Sequence, residues 1–312
     1  MIFKYFSLDI LFLLPFYSFL VIFLIVEYKK RKENFFKCLS LMMFIYALSE
    51  SLKLGFKIPR EGFFSPYRFP SSHSAVSFLI FLLLPNKWRF WYLPLFFYVV
   101  SIKLLLKAHK LIDILAGVAL ALIGKAIFDK ARKRIGRLFQ RKCFHFFIIV
   151  ILFLIYINFT NLFPKLMTLT TFLGVFLLVT WRKIPIIRDF VEFYDPGRKG
   201  LAAFLLSLGV FLASFLSLAY MEEVLFYSFW VDFGASMGRI AGKKRKSVEG
   251  LLISYVFLFV PFILTKKFNP LFLLLPLVEF ASGAYDNLTL PLSISIFSLL
   301  FPYRGITLQP HS

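Results

Sequence analysis

The sequence predicts an all-α, polytopic integral membrane protein, and three observations predict it. Of 312 residues, 60% are hydrophobic and 20% aromatic, with 44 phenylalanines, which is too apolar for a soluble domain of ordinary composition. Apolar runs near the length a bilayer core demands, about 20 residues, recur along almost the whole chain with short polar breaks. The basic residues behind a net charge of +21 are gathered into a few of those breaks.

Taken in order, the apolar runs centre roughly on 8–26, 38–54, 74–86, 90–106, 110–128, 143–159, 167–181, 201–220, 224–240, 250–265, 270–285 and 288–302. They predict about twelve transmembrane helices. The first run is too long, and too closely followed by others, for a cleaved signal peptide alone. The densest basic stretch, "DKARKRIGRLFQRK", marks a domain boundary, so two helical-bundle domains are expected, 1–135 and 136–312.

Clustered Lys and Arg also attract nucleic acid, but topology accounts for them better here. The clusters are Lys29 to Lys32; Lys130, Arg132, Lys133, Arg134, Arg137, Arg141 and Lys142; Arg182, Lys183 and Arg188; and Lys243 to Lys246. The positive-inside rule puts these loops on the cytoplasmic face, against anionic lipid headgroups, and no nucleic-acid partner is expected. Cys38 and Cys143 form neither a disulfide framework nor a metal cluster and read as packing residues.

With the basic loops inside, residues 55–73 and 101–110 share the outer face. That face holds Lys53, Arg60, the run Pro70-Ser71-Ser72-His73, Lys103, His109 and Asp113. Three cations, two serines, two histidines and a carboxylate are parts that clamp a phosphoryl group and pass it through a covalent phosphohistidine. His109 and Asp113 stand four apart, on one helix face, where the carboxylate orients the imidazole. Ser72 and His73 open a helix whose amides and positive dipole end favour an anion.

These pieces, Lys53-x6-Arg60, Pro70-Ser71-Ser72-His73 and Lys103-x5-His109-x3-Asp113 followed by Ala116-Gly117, resemble the three-part signature of the type 2 phosphatidic acid phosphatase superfamily. The resemblance covers roughly residues 1–130. It implies that His109 is the nucleophile, Asp113 its orienting partner and His73 the acid for the leaving alcohol. Lys53, Arg60 and Lys103, with Ser71 and amides near Ser72, are then the phosphate-binding groups. The sequence departs from the pattern at three places: Glu61 stands for the usual proline, Ser72 for glycine and Lys103 for arginine. Lysine keeps the charge but lacks the planar bidentate fork.

In the second half, Gly234, Ala235, Ser236, Gly238 and Gly242 permit close backbone approach, Lys243 to Lys246 supply charge for phosphates, and Asp232 and Asp286 are candidate magnesium ligands. Close helix packing is the alternative use of those small residues. Arg182 to Lys199 reads as a solvated loop. Arg141-Lys142-x2-His145, Asp232 with its small neighbours, Lys246-Ser247-x-Glu249-Gly250 and Asp286-Asn287-Leu288-Thr289-x-Pro291 resemble the CTP-dependent polyprenol kinase group, which includes dolichol kinase and phytol kinase. That resemblance implies nucleotide contacts at Asp232, Lys246, Glu249, Asp286 and Asn287, with CTP as substrate and magnesium as cofactor. The phosphatase half is expected to need no cofactor.

Together the two halves predict a multi-pass enzyme of the cell membrane. It would remove phosphate from a lipid phosphate or pyrophosphate outside and phosphorylate an isoprenoid alcohol inside. A single catalytic half, or a lipid transporter or scaffold carrying relic motifs, stays open at this point.

Overall fold

Each apolar run of the sequence becomes a helix in the computed structural model, which describes residues 10–59, 67–194, 201–241, 247–265, 267, 269–282 and 285–302. The described residues contain no β-strand, only an isolated bridge between Pro59 and Tyr67. Their contacts fall into two units, one ending at Leu154 and one starting at Ile155, so the seam lies inside a helix.

The first unit holds α1 (Leu14–Lys30), α2 (Lys32–Phe56), α3 (Ser72–Leu83), α4 (Asn86–Leu105), α5 (Leu111–Ile135) and most of α6 (Arg137–Asn158). Its breaks have local causes. Arg31 is extended between α1 and α2, Lys57 ends α2 in the left-handed region, and Pro85 precedes α4. Gly136, at φ +63°, separates α5 from α6, a conformation that costs glycine least. The short α3 is central, packing against α2, α4 and α5, and it buries Ser72, Ser74, Ala75, Ser77, Leu79 and Ile80.

The second unit holds α7 (Phe163–Thr180), α8 (Pro185–Tyr194), α9 (Leu201–Leu216), α10 (Met221–Ala241), α11 (Val248–Thr265), α12 (Leu275–Ser282) and α13 (Asp286–Leu300). In it α9 packs on α7 and α13, and α10 on α11, α12 and α13. The ten residues of α8 fall where the sequence suggested a loop. Ile187, Phe190, Val191 and Tyr194 recur there at i, i+3, i+4 and i+7 and are less exposed than Ile186, Arg188 and Glu192, the mark of an amphipathic helix.

Among the described residues, four helices are long and apolar enough to cross a membrane: Lys32–Phe56, Leu111–Lys133, Arg137–Asn158 and Thr160–Thr180. Five others are apolar but shorter, among them Ser72–Leu83 and Asp286–Leu300. The expected twelve runs are therefore helices without being twelve spans by this measure. At 1.5 Å per residue the 12 residues of α3 reach only about 18 Å, against a hydrocarbon core of about 30 Å. Trp91 is 73% exposed, Phe172 70% and Val179 74%, and apolar surface of that kind fits a membrane protein rather than one bathed in water.

Candidate functional site

In the first unit a small set of contacts ties α2, α3 and α5 together at the start of α3. Ser71 is the N-cap: its Oγ accepts a bond from the Ser74 amide at 3.4 Å and lies 2.9 Å from the Ser74 hydroxyl. The Ser71 amide donates to the backbone carbonyl of Asp113 in α5, at 2.9 Å. Gly117 makes this approach possible, because a Cβ there would stand 2.5 Å from the Ser71 carbonyl oxygen and 3.2 Å from the Ala75 nitrogen. From α2, the buried Lys53 Nζ donates to Ser72 Oγ at 3.1 Å and to Glu50 Oε1 at 2.7 Å. Glu50 is itself buried, so the pair is an ion pair removed from solvent.

His109 and Asp113 lie on this junction. The chain leaves α4 through Lys107, at φ 52°, and the amides of Ala108 and His109 both donate to the Lys103 carbonyl. The backbone of His109 is thereby fastened to the end of α4, and the Lys103 side chain is fully buried. His109 stands before the helix and not on one face of it as the spacing suggested, since α5 starts at Leu111 after the extended Lys110. In the first turn of α5, Asp113 Oδ2 accepts the Lys110 amide at 2.8 Å, a carboxylate capping the positive end of the helix. The same oxygen stands 3.6 Å from His109 Nδ1, within ion-pair range and longer than a hydrogen bond. Both side chains are almost wholly buried. Arg68 approaches from the chain before α3, its Nε 3.8 Å from Asp113 Oδ2.

Of the residues named from sequence, Lys53, Ser71, Ser72, Lys103, His109 and Asp113 thus join in one connected set of contacts. His73 follows Ser72 on α3, half-buried, with its Nε2 2.9 Å from the Tyr17 hydroxyl of α1. Arg60 lies outside the described residues. Glu50, Arg68 and Tyr17 were not singled out. A Glu three residues before a Lys on a helix is a legible pair. Arg68 lies in an irregular segment whose direction no periodicity reveals, and Tyr17 meets His73 across 56 residues.

The second unit gathers a different group. Carboxylate oxygens of Asp232 on α10, Glu279 on α12 and Asp286 at the start of α13 all lie within 4.8 Å of one another, and all three residues are buried. Oxygen donors at this spread suit a hard divalent cation: opposed ligands of magnesium stand about 4.2 Å apart and those of calcium about 5 Å. The Asn287 amide donates to Asp286 Oδ1 at 2.9 Å, while its side chain donates to the Ala202 carbonyl at 2.8 Å and so serves helix packing. Glu249 is exposed in the first turn of α11, apart from the carboxylate group, and Lys246 lies outside the described residues. Gly234 packs against α11, where a Cβ would meet Ser254 Cα at 2.7 Å, so this small residue serves helix contact. Lys142 and His145 are buried on the part of α6 that belongs to the first unit.

Compared with known proteins, the chain matches no family model, no curated protein and no solved structure.

Proposed function

We propose that the first unit hydrolyses lipid phosphates or pyrophosphates through a covalent phosphohistidine on His109. One observation carries the reading: a buried His109–Asp113 pair is pinned by a main-chain bond to the N-cap of α3, whose first residue is held by a buried lysine. A helix start of this kind attracts an anion, and lysine and arginine side chains around it balance charge on phosphate. His109 Nε2 gives its lone pair to phosphorus, the bond to the lipid oxygen breaks, and His73 protonates that oxygen. Water then attacks phosphorus and gives a proton back to His73, the P–N bond breaks and phosphate leaves. Asp113, on the Nδ1 side of the ring, stabilises the imidazolium that forms.

For the second unit the three carboxylates favour a cation-dependent phosphoryl transfer from CTP to an isoprenoid alcohol. Asp232, Glu279 and Asp286 would hold magnesium there, which would neutralise charge on the nucleotide phosphates. Both sites belong, in this reading, to a multi-pass enzyme of the cell membrane. The shorter apolar helices would lie within its membrane alongside the four long ones without each crossing it.

Purified protein incubated with lipid phosphates, lipid pyrophosphates and polyprenols, with and without CTP and magnesium, tests the proposal. Phosphate release without nucleotide or metal, abolished in His109→Ala, is the expected outcome for the first unit. CTP consumed only with an alcohol, and unchanged in that variant, is the outcome for the second. Phosphate release persisting in His109→Ala removes the nucleophile assignment.

A further inference from the structure

Lys103 brings charge to the site without the fork that an arginine would present to phosphate. Arg68 is an arginine that the fold delivers to the same carboxylate as His109. Its backbone is fixed, because its amide donates to the Ile58 carbonyl at 3.0 Å and the neighbouring Tyr67 bridges to Pro59. Its side chain is 27% exposed, so it lies at the rim of the site and not in the core. The Nε atom is buried and makes no hydrogen bond among the described residues, and 3.8 Å separates it from Asp113 Oδ2. A guanidinium committed to a carboxylate would close to about 2.8 Å and engage two nitrogens. This one is drawn towards Asp113 but not engaged by it, an arrangement suited to an anion that arrives later.

We infer that Arg68 is a phosphate-binding residue, whose guanidinium grips non-bridging oxygens of the lipid phosphate and supplies the bidentate contact that Lys103 cannot. The inference rests on the lipid phosphatase reading of the first unit. Phosphate bound to Arg68 also takes up positive charge that now faces Asp113, which leaves that carboxylate to His109 as the imidazolium forms.

The test uses the full-length protein in detergent micelles, a short-chain lipid phosphate as substrate and orthovanadate as a phosphate mimic. Arg68→Ala should raise KM and the vanadate inhibition constant together by about 10- to 100-fold, the range a charge-assisted bidentate contact provides. Arg68→Lys should recover little of this, and Lys103→Arg added to Arg68→Ala should recover much of it, because the fork is returned to the same oxygens. Arg68→Gln replaces the alanine variant if that one fails to fold. Unchanged KM and vanadate inhibition in the Arg68 variants, with the parent protein active, overturns the assignment alone, as does full recovery by Arg68→Lys. A parent protein that neither releases phosphate from any lipid phosphate nor binds vanadate overturns the assignment and the reading beneath it.

Discussion

Gly117→Ala isolates the junction between α3 and α5. The added methyl carbon would start 2.5 Å from the Ser71 carbonyl oxygen, and ordinary contact begins near 3.4 Å, so the helices must part by about 0.9 Å. Neither obstacle can turn aside, since both the Ser71 oxygen and the Ala75 nitrogen are backbone atoms bonded to each other in the first turn of α3. Moving α5 by that amount stretches the 2.9 Å bond from Ser71 to Asp113 to about 3.8 Å, beyond hydrogen-bond range. Overpacking of about 1–3 kcal/mol and a lost bond of about 1 kcal/mol give an expected destabilisation of about 2–4 kcal/mol. The same shift carries His109 and Asp113 away from the start of α3, and a misplacement near 1 Å lowers turnover by about 100-fold. Thermal unfolding in detergent and phosphate release measure the two effects separately. Gly55→Ala is the control: nothing lies within 4 Å of its added carbon, and alanine in a helix is neutral or stabilising by up to about 1 kcal/mol. A Gly117→Ala protein with parental stability and turnover would refute the close approach of the two helices.

Glu50→Gln should lower stability by about 1–3 kcal/mol, because it removes the charge opposite a buried ammonium. It should also tighten vanadate inhibition several-fold, because Lys53 then faces the anion without a competing carboxylate; weaker inhibition would contradict the placing of Lys53 at the phosphate. Magnesium or manganese should raise the unfolding midpoint of the parent protein, by about 1.4 kcal/mol of stability at ten times the dissociation constant, and Glu279→Gln should abolish that shift. An equal shift in both proteins would mean the cation binds elsewhere.

The helices were legible because apolar runs and polar breaks are properties of local sequence. Span length was not: Ser72–Leu83 and Asp286–Leu300 read as crossings, yet their ends are set by Ser71, Pro85 and Tyr285, which shorten them below the bilayer core. The amphipathic α8 was hidden behind its charges, since Arg188, Asp189 and Glu192 interrupt a run whose period only emerges on a helix. At the candidate site the spacing pointed to the His109–Asp113 pair but not to its geometry: His109 precedes the Lys110 N-cap of α5, so a turn and not one helix face brings the two together. Arg68, Tyr17 and Glu279 were beyond spacing altogether. Their roles depend on which elements meet in space, and an arginine in an irregular segment or a glutamate in an apolar run carries no sign of its neighbour.

Both candidate sites open at the first residue of a helix too short to reach across a bilayer, Ser72 at the head of α3 and Asp286 at the head of α13. Helices of 12 and 15 residues reach about 18 and 22 Å, short of a hydrocarbon core of about 30 Å, so in the proposed membrane enzyme a helix anchored at its apolar end leaves its polar end below the water boundary. A lipid headgroup arrives at that depth by diffusing sideways within its own leaflet, whereas a water-soluble phosphate ester must descend to it. Catalysis should therefore respond to acyl-chain length of the host bilayer, rising in thin membranes that bring the recessed ends level with the headgroups and falling in thick ones.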